Sequence, residues 1–174
     1  VYTRNGAIHG LNWALGVFEN GVQVGGIGAD FDHIDTDSFI AAANIADTNS
    51  WYSDVVCYSD APSGDDKYEV LTGMLQTCGA RPGTKQGKIS CVNLAANGSS
   101  VVTITGEDVL APFEYDGMAS RQGRINTVIP RRVSEDHDWE NVDDAPVSSS
   151  TYVTEDGGAT RSRGIAYPYV TGTN

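Results

Sequence analysis

Apolar positions recur at helical spacing three times in the first half of the chain. In "GAIHGLNWALG", residues 6–16, Ile8, Leu11 and Leu15 fall on one face, which predicts an amphipathic helix. Residues 36–47, "TDSFIAAANIAD", form a second, with Phe39, Ala43 and Ala46 turned inward. The best-marked helix lies in "SGDDKYEVLTGMLQTCGA", residues 63–80, where Leu71, Met74, Leu75 and Cys78 make the stripe. Ser63 to Asp66 supply caps there, Asp65 and Asp66 meet the positive end of the helix dipole, and Gly79 suits the left-handed position after the last turn. Before the second helix, "VFENGVQVGG" holds Asn20-Gly21 between short apolar flanks. Both residues tolerate positive φ, so a hairpin is expected. "WYSDVVCYSD", residues 51–60, reads as a strand.

From Gly87 onward the period shortens to that of strands. "GKISCVNL" and "SVVTIT" flank "AANGS", which predicts a second hairpin. "RINTVIPRRV", "STYVTEDGG" and "GIAYPYV" read as extended, with Pro130 and Pro168 pushing those runs toward edges or bulges. The expected fold class is α+β, with a helix-rich first half carrying hairpins and a β-rich antiparallel second half. The expected division is an α+β domain over residues 1–110 and a β-rich segment over 111–174.

One stretch raises a chemical question. "GADFDHIDTDSFIAAANIAD", residues 28–47, sets Asp30, Asp32, Asp35 and Asp37 ahead of an alanine-rich run. An EF-hand loop needs oxygen ligands at alternate positions, then Gly, then an acid at the twelfth. Counted from Asp30 the third ligand position is Ile34, and counted from Asp35 it is Phe39, so both registers fail. A looser calcium cage stays open as an alternative. The simpler expectation is a helix start, with Asp35 or Thr36 capping free N–H groups and Asp37 adding charge in the first turn. Asp30 and Asp32 are then solvated loop residues.

Composition narrows the classes. The chain has 174 residues and a formal charge of −12, unevenly placed. Residues 1–80 hold two basic side chains, Arg4 and Lys67, against eleven acidic ones, while residues 81–174 hold nine against twelve. Nucleic-acid binding relies on neutralising phosphates with Lys and Arg, so neither nucleic-acid binding nor docking on anionic lipid is expected. No apolar run approaches the ~20 residues of a membrane-spanning helix, and no membrane insertion is expected. No signal peptide is visible, and the absence of an initiator methionine suggests processing or a piece of a longer chain. Cys57, Cys78 and Cys91 form no CxxC pair and read as buried free thiols. His9, His33 and His137 are scattered, with no second ligand four residues away. No nucleophile elbow, dinucleotide fingerprint or P-loop is complete. The expectation is therefore no catalytic residue, no cofactor and no metal. Of the three tryptophans, Trp13 and Trp51 lie beside apolar positions and read as core. Trp139, between Asp138 and Glu140, is the candidate for surface binding.

The succession "GLNWALG", "GGIGADFDHIDTDSFIAAANIAD", "YEVLTGMLQTCGA", "GKISCV", "RINTVIPRRV…DW", "YVTEDGG" and "RSRGIAYPYV" resembles the central tail-tip proteins of long-tailed phages. These are host-specificity or attachment proteins, related to the hubs of gene transfer agents. The likeness runs in order over roughly residues 6–170. It implies a structural protein of the virion tail tip, made in the bacterial cytoplasm, with other tail-tip proteins as partners. It further implies a homotrimeric ring and a host surface receptor. The chain is far shorter than that pattern, so the strands after about residue 111 would belong to a hub barrel completed by sequence not present here. In that setting the acidic first half would face the tail lumen and repel DNA, or be an ordinary solvated face. Two alternatives of other classes stand beside it, a tail-associated cell-wall hydrolase and a carbohydrate- or receptor-binding module.

Overall fold

The computed structural model describes residues 3–54, 67–95, 102–109, 120 and 123–172. They form a mixed α+β structure with the helices gathered in the first half. In chain order the elements are α1 (Gly6–Leu15), β1 (Val17–Glu19), β2 (Val22–Gly25), α2 (Thr36–Thr48), α3 (Lys67–Gln76), β3 (Ala80–Lys85) and β4 (Lys88–Asn93). There follow β5 (Thr127–Ser134), β6 (Glu140–Asp143), β7 (Val147–Ser148), α4 (Ser150–Glu155) and β8 (Ser162–Tyr167).

The apolar core is drawn from α1, α2, α3 and the β3–β4 hairpin, with Phe39, Leu71, Leu75 and Cys78 wholly buried. α1 begins at Asn5, whose Oδ1 accepts the N–H groups of Ala7 at 3.0 Å and Ile8 at 3.4 Å. The Asn5 amide then donates to the Ala43 carbonyl at 3.0 Å and to Asp47 Oδ1 at 2.7 Å, so the same residue caps α1 and ties it to α2. The helical period of α1 is as expected, but its phase is rotated by one residue. Gly6, Ala7, Gly10 and Ala14 face the core, while Ile8, Leu11 and Leu15 pack half-buried around it. The reason is close approach: a Cβ on Gly10 would stand 2.9 Å from Leu75 Cδ2. α2 buries Phe39, Ala43 and Ala46 as its pattern predicts, with Ala42 beside them. α3 buries Leu71, Met74 and Leu75, and Gly79 takes φ +65 just beyond it. The caps expected at Ser63 to Asp66 lie outside the described residues, as does most of the strand expected over 51–60, whose described part (51–54) is irregular.

The Asn20-Gly21 hairpin forms as expected, with φ +50 and +80 at its two turn residues. The second expected hairpin is corrected. β4 pairs antiparallel with β3, from Ala80↔Asn93 to Lys85↔Lys88, and residues 102–105 form no strand. The two-residue turn Gln86-Gly87, at φ +52 and +78, has the positive φ at both positions that matches the twist of a tight hairpin.

In the second half β5 is the central strand. β6 and β7 run antiparallel to it, and β8 runs parallel, from Thr127↔Ser162 to Arg132↔Tyr167. Because β8 overlaps the ranges of both other partners, β6 and β7 share the opposite edge of β5. The sheet is thus not antiparallel throughout. "STYVTEDGG" is also corrected from strand to helix and turn: β6 and β7 bring the chain back to the start of β5, and α4 lies in the connection that carries it past that end, from β7 on one edge to β8 on the other. Ser149 caps it, and Gly157 and Gly158 at φ +72 and +82 follow it. Pro130 lies in the middle strand but faces the interval between β6 and β7. Its carbonyl accepts the Asp144 N–H at 2.8 Å, so its missing N–H falls on the edge where the ladder changes partner.

The halves meet where Tyr169 lies over Gly73 of α3 and the Asp54 N–H donates to the Tyr169 carbonyl at 3.0 Å.

Candidate functional site

The aspartates ahead of α2 were the first chemical candidates, and the fold separates them. Asp30 and Asp32 are exposed around a single 3-10 turn, Phe31–His33. Asp30 Oδ2 is 3.9 Å from His33 Nδ1 with both side chains open to water, a contact of little energy. Asp35 stands at the N-cap position of α2, but its side chain makes no capping hydrogen bond. This corrects the expected cap. The carboxylate is drawn to Lys85 Nζ, 3.2 Å away, while the Asp35 N–H donates to the Ile89 carbonyl at 2.8 Å. Asp35 Oδ2 is buried and takes no directed hydrogen bond, so this ionic contact is what neutralises it. Thr36 is the first helical residue rather than the cap, and Asp37 places its charge in the first turn, where the dipole favours it. Ser38 carries the junction: its hydroxyl donates to the Asp35 carbonyl at 2.6 Å and accepts the Cys91 N–H at 2.9 Å. The stretch therefore anchors a helix to the β3–β4 hairpin. Among the described residues no three His, Cys, Asp or Glu side chains converge to hold a metal ion.

Cys78 and Cys91 are buried free thiols, pushed up by burial to about 11 and about 12. They are protonated and unreactive at neutral pH. Cys57 lies outside the described residues. The histidines stay apart: His9 is half-buried on α1, His33 is exposed, and His137 Nδ1 sits 3.1 Å from Ser134 Oγ within one tight turn.

The tryptophans divide as expected. Trp13 packs against the core and donates its indole N–H to the Lys67 carbonyl at 2.9 Å, and Trp51 also packs on the core. Trp139 is 57% exposed. It closes the turn between β5 and β6, its N–H donating to the Ser134 carbonyl at 2.9 Å. Both it and Asp138 adopt left-handed backbone, at φ +64 and +55. A bulky residue in that region is strained, and such strain gathers at functional positions.

Two further surfaces were not placed by sequence reading. On the β1–β2 ribbon Val17, Phe18, Val22 and Val24 are all exposed. At the start of the β5 sheet, Arg124 and Arg161 converge on the low-exposure Asp156, at 3.3 and 3.6 Å. Asn126, only 5% exposed, donates to Asp156 Oδ2 at 3.0 Å and accepts the Arg161 N–H at 2.8 Å. The signal for this cluster was the concentration of basic residues after position 80, with "RSRG" among them. Linear sequence could not show that residues 124 and 161 are neighbours.

Comparison with models of known protein families and with curated proteins found no match.

Proposed function

We propose that this chain is a structural portion of the central tail-tip protein of a long-tailed phage or prophage, contributing to tail assembly and host-cell attachment rather than to catalysis. The observation that carries the reading is the ordered run of segments from "GLNWALG" to "RSRGIAYPYV", which resembles that family over roughly residues 6–170. The apolar side chains left exposed on the β1–β2 ribbon support it, because a neighbouring subunit would remove them from water. Other tail-tip proteins and further copies of the chain, as a homotrimer, are the partners this reading names. The test is immunogold microscopy of particles released by the source bacterium, with antibody raised against this chain. Label at the tail end distal to the head is the expected result. Particles free of label, or labelled along the whole tail, would overturn the reading.

A second reading, a carbohydrate- or receptor-binding module, is favoured by Trp139, whose exposed ring is presented on a strained turn.

A further inference from the structure

The start of the β5 sheet carries a cleft of about 390 Å³ lined by Gly123, Arg124, Ile125, Arg161, Ser162 and Arg163. It is unusual for its charge. The chain as a whole carries −12, yet three guanidinium groups line this one cleft. Among the described residues Asp156 is the carboxylate that pairs with them, at 3.3 Å from Arg124 and at 3.6 Å from Arg161. One carboxylate neutralises one guanidinium. Arg163 is exposed and has no ion-pair partner among the described residues. Among the described residues the cleft wall thus holds more positive than negative side chains, even with Glu155 of the adjoining cleft counted.

From this geometry we infer that the cleft binds a phosphate group, presented as a small phosphate monoester. Guanidinium forks match the oxygens of phosphate, and a dianion is drawn to a group of arginines more strongly than a single carboxylate is. The site is prepared in advance. Asp156 holds the side chains of Arg124 and Arg161 before any ligand arrives, and Asn126 in turn fixes Asp156, accepts the Arg161 backbone N–H and donates to the Ala159 carbonyl at 2.9 Å. Binding thus spends little further side-chain entropy on those two residues. A concave site of one sign also concentrates counter-ions of the other, against the repulsion of the acidic remainder. Beside it, sharing Arg124 and Ile125, lies a second cleft of about 330 Å³ lined also by Tyr152, Glu155 and Asp156. It gives the organic part of the ester a ring to lie on and a carboxylate to meet its hydroxyls. This inference does not depend on the tail-tip reading.

The test is calorimetric titration of the whole chain at low ionic strength with inorganic phosphate, glucose 6-phosphate and glucuronate in separate runs. Saturable one-to-one binding of both phosphates, weakening with added salt, is expected. Arg163→Gln, at an exposed side chain, should weaken it about ten-fold, the scale of one lost charge-assisted contact. Lys88→Gln, at an exposed lysine on the β3–β4 hairpin, should leave it unchanged. If circular dichroism shows Arg163→Gln misfolded, Arg124→Gln replaces it with the same expected loss. A gain for the ester over inorganic phosphate that disappears in Tyr152→Ala assigns the second cleft to the organic part, and no gain for the ester removes that part of the inference. Absence of saturable binding, equal weakening by Lys88→Gln, or glucuronate bound as tightly as the phosphate ester would overturn the phosphate site.

Discussion

Arg4 grips Asp54 with both arms of its guanidinium, Nε donating to Oδ1 at 3.0 Å and Nη2 to Oδ2 at 2.7 Å. Thr171 donates its hydroxyl to the same Oδ2 at 2.6 Å. One carboxylate thus joins the segment before α1, the segment after α2 and the segment after β8. The Arg4 hydrogen bond, above all, holds the Asp54 carboxyl below the usual carboxylate range. Asp54→Ala should lower unfolding stability by about 1–2 kcal/mol, a figure discounted because Arg4 is half open to water. The depressed value means this contribution is complete above an unfolded carboxylate pKa of about 4, and is lost as pH falls through the folded value. Urea midpoints for wild type and variant that converge in acid and separate at neutral pH are the expected record. Curves that stay parallel through that range would contradict it.

His9 titrates in a different window. Burial lowers its pKa from the ordinary 6.5, and the nearby Asp54 charge partly opposes that shift. The unfolded chain therefore binds the proton more readily than the folded one. Stability should be highest above 6.5 and decline below it, until the lowered folded value is reached. His9→Gln should flatten the change in urea midpoint between about pH 7.5 and 5.5, the range in which an ordinary imidazole titrates. Asp54→Asn should steepen it, because the opposing charge is gone. A variant as pH-sensitive as wild type would show that another group dominates.

Gly6 and Gly73 set how closely neighbours approach the helices. A Cβ on Gly6 would overlap Thr77 Oγ1 and stand 2.8 Å from the Met74 carbonyl, which is backbone and cannot rotate away. Gly6→Ala should destabilise by about 1–3 kcal/mol, despite alanine's better helix propensity. A Cβ on Gly73 would stand 2.5 Å from the Tyr169 ring, so Gly73→Ala should displace the C-terminal segment while leaving the helical core folded. Faster amide exchange near residue 170 with unchanged exchange in α2 is the signature to look for. Stabilised variants at either position would count against this packing.

The junction ahead of α2 distinguishes two residues. Ser38→Ala removes both the bond to the Asp35 carbonyl and the acceptor for the Cys91 N–H, and should cost about 1–2 kcal/mol. Asp35→Ala removes no capping bond, only the contact with the exposed Lys85, and should cost less than Ser38→Ala. Thermal melts of the pair in one buffer settle the order. If Asp35→Ala is the costlier change, its carboxylate caps in solution after all.

Trp139→Ala should change stability by no more than about 0.5 kcal/mol, because an exposed side chain is lost and the turn hydrogen bond is made by backbone. If the exposed ring is a platform for saccharide or receptor, the same variant should abolish binding on a glycan array that the wild type scores. An array without hits, or with hits that survive the substitution, removes the second functional reading.

Much of the fold was legible from local chemistry. The Asn20-Gly21 turn, the inward stripe of α2, the stripe of α3 and the left-handed Gly79 each follow from residues a few positions apart. The misses share a cause. The phase of α1 depends on which face two other helices can approach. The expected pairing of β4 across "AANGS" gives way to pairing with β3 across the two-residue turn Gln86-Gly87. The β-branched run in "STYVTE" favours a strand locally, and is instead a short helix capped by Ser149, in the connection that passes from β7 to β8 around the start of β5. The candidate surfaces divide in the same way. Trp139 was visible between two acids, whereas the arginine cleft joins residues about 37 positions apart and has no local signature.

By itself the sequence determined where the first three helices lie, that Asn20-Gly21 reverses the chain, and that the net charge is acidic, since these depend on backbone preference and on counted charge. Only the tertiary structure decided that Asp35 faces a lysine instead of capping its helix, that Asp54 ties three segments together, and that three arginines meet in one cleft. Those outcomes depend on distances between residues far apart in the chain, and such distances exist only once the core has closed.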